Sequence, residues 1–203
     1  MVDFKAKPKL NASGPGLNVP EIMPVAENRD HSNSVDAICG SPNLDGQYAS
    51  GSHDKSIKLW NVHNGQCLAT MNGHANGVWC LNYFGDARKL LSASSDGTSR
   101  IWDINSGKCT ATLGHHTGRV YYATPNLDGT LVASAGSDKI INVWDLRNVG
   151  KPVISNKDSK DVIMSCAFTN DNKHVVTGTM AGILNGLNIE NQKMELAWDT
   201  LEF

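Results

Sequence analysis

No stretch of this 203-residue chain approaches the roughly 18 consecutive apolar residues needed to cross a bilayer as a helix. The N-terminus also lacks the apolar core of a secretory signal, so the expected location is intracellular, cytoplasmic or nuclear. The five cysteines are an odd number, widely spaced and without a C-x-x-C pair, which argues against a disulfide framework and against a structural zinc site. Reduced, mostly buried thiols are expected instead. Asn11-Ala12-Ser13 matches a glycosylation acceptor in pattern alone. Charge of one sign is scarce: 18 basic against 20 acidic side chains leave a net charge of −2, with no global field to attract nucleic acid or an anionic membrane. No glycine loop that could cradle phosphate, no helix-borne histidine pair for zinc and no aromatic-basic pattern of RNA readers is present. No cofactor or metal is therefore expected, nucleic acid is not indicated, and other proteins or peptides remain as partners.

Residues 1–30 hold four of the seven prolines, Pro8, Pro15, Pro20 and Pro24, and no sustained apolar alternation. Such a composition buries too little surface to offset its ordering entropy, so an irregular N-terminal extension is expected. Two alternatives stand beside it: a strap that orders on a partner, and an outer strand of a neighbouring blade around Ile22 to Ala26.

From residue 31 onward the sequence repeats. Trp60, Trp102 and Trp144 are spaced by 42 and 42 residues, each with an aspartate six places before it (Asp54, Asp96, Asp138) and a serine ten places before it (Ser50, Ser92, Ser134). Upstream stand His31, His74 and His116, each four residues ahead of a valine, Val35, Val78 and Val120. A fourth, decayed unit puts Val162, Thr177, Ala181 and Leu187 at the places of valine, serine, aspartate and tryptophan. Cys67 and Cys109 are also 42 apart, which suggests packing rather than reactivity as their role. Each unit holds four short runs suited to strands; in the second they lie near Val78 to Tyr83, Lys89 to Ala93, Ser99 to Asp103 and Lys108 to Leu113. Turn pairs such as Asn64-Gly65, Asp96-Gly97 and Ser106-Gly107 separate such runs. Four antiparallel strands per unit of about 42 residues is the anatomy of a propeller blade.

Gly73-His74 at the start of a unit and Ile101-Trp102-Asp103 near its end resemble the signature of the WD-repeat family. The resemblance implies an all-β fold, a β-propeller of WD-repeat type with about four four-stranded blades visible, as an open arc or as part of a seven-bladed ring. The expected units are 31–72, 73–114, 115–156 and 157–203. It also implies three structural tetrads: His31, Ser50, Asp54 and Trp60; His74, Ser92, Asp96 and Trp102; His116, Ser134, Asp138 and Trp144. In the fourth unit Asp158, Thr177, Ala181 and Leu187 stand at these places, and no tetrad is expected. A nucleophilic reading of the recurring Ser, His and Asp fails because the trio repeats in step with a core tryptophan and lacks the exposed, activated nucleophile that catalysis needs.

Function should then lie on a surface, and by the resemblance the residues around the channel entrance are Asp36, Trp79, Tyr121 and Ile163 together with His53, Ser95, Ser137 and Met180; Arg119 faces nearby. Trp79, Tyr121 and Arg119 are of the types that anchor protein interfaces, although rings can equally fill the seam between blades. The leading expectation is a non-catalytic scaffold in an intracellular multiprotein assembly; the alternative is a structural component of a cytoskeletal or ribonucleoprotein particle, and an enzyme comes third. Seven blades would need about 300 residues. Three explanations compete: part of a longer protein, which the break after a fourth-blade outer strand favours; a ring completed by a second chain; or closure with four blades.

Overall fold

The computed structural model describes residues 28–43 and 46–199, with the side chains of 196–199 left out. It contains sixteen strands and, among the described residues, no helix. The expected tail at residues 1–30 lies almost wholly outside the described part. The first sheet is β1 (Val35–Gly40), β2 (Gln47–Ser52), β3 (Ile57–Asn61) and β4 (Cys67–Met71). The second is β5 (Val78–Phe84), β6 (Lys89–Ser94), β7 (Thr98–Asp103) and β8 (Cys109–Gly114). The third is β9 (Val120–Pro125), β10 (Leu131–Gly136), β11 (Ile141–Asp145) and the short β12 (Ile154–Asn156); the fourth is β13 (Ile163–Phe168), β14 (His174–Thr179), β15 (Ile183–Asn188) and β16 (Met194–Asp199). Every sheet is antiparallel, and its strands lie side by side in chain order. The strands expected in the second unit match β5 to β8 within one residue at every boundary.

Consecutive sheets stack face to face, and three apolar seams form the core. In the first seam Ala37, Ala49, Ile57 and Leu59 meet Val78, Leu81, Leu90 and Trp102. The second repeats this with Cys80, Leu91, Ala93 and Ile101 against Val120, Ala123, Val132 and Trp144. In the third, Ala133, Ala135, Ile141 and Val143 meet Ile163, Cys166, Val175 and Leu187. Alternation along each strand produces this pattern, because odd and even residues supply opposite faces of one sheet to two different seams. The innermost strands β1, β5, β9 and β13 run through the seams in sequence, and no comparable contact joins the fourth sheet to the first among the described residues. The fold is an open all-β arc of four blades.

One irregularity recurs in every blade. The first strand slips register against the second between Val35 and Ala37, between Val78 and Cys80, opposite Ala135 and Gly136, and between Ile163 and Ser165. The unpaired residues are Asp36, Trp79, Tyr121 and Met164. A bulge of this kind bends the strand and turns the extra side chain out of the ladder.

Candidate functional site

In the first three blades, the segment before the first strand meets the turn between the second and third strands through one chain of hydrogen bonds. In blade two, Trp102 Nε1 donates to Ser92 Oγ at 2.8 Å, Ser92 Oγ lies 2.7 Å from His74 Nε2, and His74 Nδ1 lies 2.8 Å from Asp96 Oδ2. Blade one repeats it with Trp60, Ser50, His31 and Asp54 at 2.7, 2.7 and 2.8 Å. Blade three does so with Trp144, Ser134, His116 and Asp138 at 3.1, 2.9 and 2.9 Å. One tautomer of the imidazole satisfies every member in turn. The carboxylate accepts from Nδ1–H, so neutral Nε2 accepts from the serine hydroxyl, whose oxygen accepts the indole N–H.

Each aspartate also gathers backbone donors. Asp96 accepts from the N–H of Ala75 at 3.0 Å and from the N–H and Oγ1 of Thr98 at 3.0 and 2.7 Å. Burial alone would raise this carboxyl, yet the hydrogen bonds from His74, Thr98 and Ala75 outweigh it and hold Asp96 well below the usual carboxylate range. Burial likewise opposes, and the donors from Ser56, His31 and Ser32 likewise lower, Asp54. Asp138 is lowered against burial by His116, Thr117 and Ile140. The serines are buried and hydrogen-bonded on two sides, so an incoming reactant has no path to the hydroxyl oxygen.

Among the described residues, blade four carries no such chain. Leu187 occupies the tryptophan place and is fully buried in the third seam, while Thr177 Oγ1 is buried without a hydrogen-bond partner. The apolar duty of the indole survives there and its polar duty does not.

Beside the tetrads, at the same end of the sheets, the bulged residues form a row across three blades. His53 Nδ1 lies 2.7 Å from Asp36 Oδ2. The His53 ring meets Trp79 edge to face at 5.2 Å and 81°, and Trp79 meets Tyr121 at 5.5 Å and 84°. Trp79 Nε1 donates to Ser95 Oγ, and the Arg119 N–H donates to Ser137 Oγ at 2.8 Å. Both rings are half-buried and Arg119 is exposed; neither Trp79 nor Tyr121 belongs to an apolar seam. The row is therefore an amphipathic ledge of aromatic faces and edges with charge at each end.

The family model for the WD domain, G-beta repeat, matches residues 23–61, 65–103 and 107–145, more than half of the chain. The chain belongs to the WD-repeat family. Among curated proteins, it is 38% identical over 61 residues to U3 small nucleolar RNA-associated protein 13 of Saccharomyces cerevisiae, a stretch covering 29% of this chain and 7% of that protein. Periodic tryptophan protein 2 of Arabidopsis thaliana is 36% identical over 70 residues, 34% of this chain and 8% of that protein. Nuclear distribution protein PAC1 of Mycosarcoma maydis is 44% identical over 53 residues, 26% of this chain and 12% of that protein. These matches thus span about an eighth or less of the relatives' own lengths.

Against this WD-repeat frame, three sequence expectations are corrected. Ile163 is fully buried in the third seam: its backbone partner is Thr179, as Val78 pairs with Ser94, so Ile163 and not Val162 takes the valine place. The outward position belongs to Met164, which is exposed. Asp158 likewise yields the histidine place to the buried Ser159, since Met180 N–H bonds to Val162 as Ser95 N–H bonds to Gly77. The cysteines are not mostly buried: Cys80 and Cys166 are, Cys39 and Cys67 are half-buried and Cys109 is exposed. Met180 is exposed at 74% beside the ledge's fourth-blade end. Sequence reasoning missed Gly77 and Gly118, where a Cβ would stand 3.1 Å from His53 Cγ and 2.4 Å from Ser137 Oγ. The signal was available in Gly77 one residue before Val78 and Gly118 two before Val120, but only the packed turns give it meaning.

Proposed function

We propose that the chain is a non-catalytic scaffold of an intracellular multiprotein assembly, and that the ledge of Asp36, His53, Trp79, Ser95, Arg119, Tyr121 and Ser137, with Met180 at its end, grips a peptide or domain of another protein. The observation that carries this reading is the continuous His53–Trp79–Tyr121 row, in which bulges turn Trp79 and Tyr121 out of two successive blades and the turn after β2 of the preceding blade brings His53 against them. Partly exposed aromatic rings fixed by their neighbours supply large contact area at little entropic cost. The buried, doubly bonded serines support the absence of a nucleophile. The names of the relatives, one associated with a small nucleolar RNA and one with nuclear distribution, fit membership of large assemblies, and no described helix is long and apolar enough to cross a membrane.

The test is quantitative capture with the native chain, Trp79→Ala, Arg119→Glu and a control at Leu127, an exposed residue of the β9–β10 turn. Loss of a central aromatic anchor should weaken a specific partner by about 2 kcal/mol, roughly thirtyfold. Unchanged capture by both ledge variants, with thermal melting showing intact folds, would remove this face from consideration. A second reading is a structural component of a ribonucleoprotein particle, favoured by the name of the yeast relative. It places the contacts on the N-terminal extension and the blade rims, so deletion of residues 1–24 should release the chain from the particle only in that case.

A further inference from the structure

Blades three and four fill the recurring places of the ledge differently from blades one and two. The residue whose carbonyl accepts the N–H of the turn after the second strand is Ser34, Gly77, Arg119 and Val162 in turn, so only blade three sets a charge there. The left-handed residue of that turn is Lys55, Gly97, Lys139 and Gly182. The result is a band of cations: Arg119, Lys139 and Lys160 are all exposed, and the Lys139 ammonium donates to the Lys160 carbonyl at 2.8 Å, which ties the turn of blade three to the segment entering blade four. Among the described residues none of the three cations is paired with a carboxylate. The acids at this end of the two blades are occupied. Asp138 is held by His116 inside the third tetrad, Asp158 accepts from Asn156 Nδ2 at 2.8 Å, and Asp161 accepts the N–H of Ala181 at 2.6 Å. On one side of the cations stand the half-buried rings of Trp79 and Tyr121. On the other stand Met164 and Met180, 44% and 74% exposed and outside the apolar seams.

Uncompensated cations between two apolar groups select a partner by charge as well as by contact. We propose that the ledge takes an extended acidic segment of another protein, in which two apolar side chains, one set on the rings and one on the methionines, bracket carboxylates that face Arg119, Lys139 and Lys160. This rests on the ledge being the binding face and adds the chemistry that it takes. Stacked sheets lie about 10 Å apart. A polyproline-type segment advances about 3.1 Å per residue with three residues per turn, so side chains three positions apart share one face and step from blade three to blade four. The two residues between them carry the carboxylates. The Arg119 guanidinium suits a carboxylate through two parallel hydrogen bonds, while the lysines attract without fixing geometry. Methionine adapts its shape to the apolar side chain that it meets. At the other end of the ledge Asp36, held by His53, sets the opposite sign, so the segment lies with its acidic part toward blade four.

Three capped peptides test this, with Leu-Glu-Glu-Leu, Leu-Lys-Lys-Leu or Ser-Glu-Glu-Ser between Gly-Ser flanks, each titrated by fluorescence anisotropy. The proteins are the full native chain, the double variant Arg119→Glu with Lys160→Glu, and Trp79→Ala; the two cations are exposed, and circular dichroism verifies all three folds. The native chain should bind the Leu-Glu-Glu-Leu peptide roughly tenfold or more tightly than either other peptide, and added salt should narrow its margin over the lysine peptide. The double variant should reverse the order of the two leucine peptides. Trp79→Ala should weaken the Leu-Glu-Glu-Leu peptide and keep that order. Equal affinity for the glutamate and lysine peptides, an order that survives the double variant, a serine peptide as tight as its leucine counterpart, or no binding of any peptide overturns the proposal. A missing charge preference with binding still weakened by Trp79→Ala leaves the ledge as the binding face, whereas binding indifferent to Trp79→Ala removes the ledge as well.

Discussion

The Ser92 hydroxyl accepts the Trp102 indole N–H and donates to His74 inside a fully buried site, so Ser92→Ala strands two polar groups at once. Each buried, orphaned group costs about 1–3 kcal/mol; the expected loss in urea unfolding is about 2–3 kcal/mol, and a change under 0.5 kcal/mol, by the same scale, would contradict the network's role. Thr177 holds the equivalent place in blade four, where its hydroxyl bonds to nothing among the described residues. Thr177→Val should therefore leave stability unchanged or raise it by up to about 1 kcal/mol. The two substitutions remove the same kind of atom and are expected to differ in sign. Acid should act through the same residues. The carboxyls of Asp54, Asp96 and Asp138 are depressed in the folded chain, so unfolding takes up protons at low pH. Their stabilisation is fully present above the unfolded value of about 3.9 and is lost as pH falls toward the depressed folded values. Asp96→Asn should lower stability at neutral pH and flatten its decline below about pH 4; a slope equal to that of the native chain would assign acid sensitivity elsewhere.

At the level of strands and turns, the turn between the second and third strands of each blade needs a left-handed residue. Blades two and four place glycine there, Gly97 at φ 82° and Gly182 at φ 81°, whereas blades one and three place Lys55 at φ 76° and Lys139 at φ 65°. A side chain in that region costs about 1–2 kcal/mol, partly offset because glycine loosens the unfolded chain. Lys55→Gly should thus raise the unfolding free energy by about 0.5–1 kcal/mol, measured by chemical denaturation. The same repetition explains how much could be read from the residues alone. Where Trp, Ser, Asp and His mark a unit, strand positions and hydrogen-bonded sets follow directly, since each marker has one place in the blade. Blade four has lost those markers, and its apolar run Val162, Ile163, Met164 offers three candidates for one buried position. The bulge decides among them, and a bulge depends on pairing with β14 rather than on local composition. Glycines beneath His53 and Ser137 were equally hidden, because their neighbours come from other turns.

On the scale of the whole arc, the four described blades align the ends of the innermost strands along one ledge. Buried networks lock the first three blades, while bulges send Asp36, Trp79, Tyr121 and Met164 outward. The ledge runs from the Asp36–His53 pair through the two rings to Arg119 and the exposed methionines, so its partner should engage several blades at once. The most direct measurement replaces Tyr121 with a photo-crosslinking amino acid in the full chain, with the same replacement at Leu127 as reference. A discrete protein product is expected from position 121, absent from 127 and abolished by Trp79→Ala in the same chain. Identical products from both positions, or a product indifferent to Trp79→Ala, would contradict the assignment of binding to this ledge.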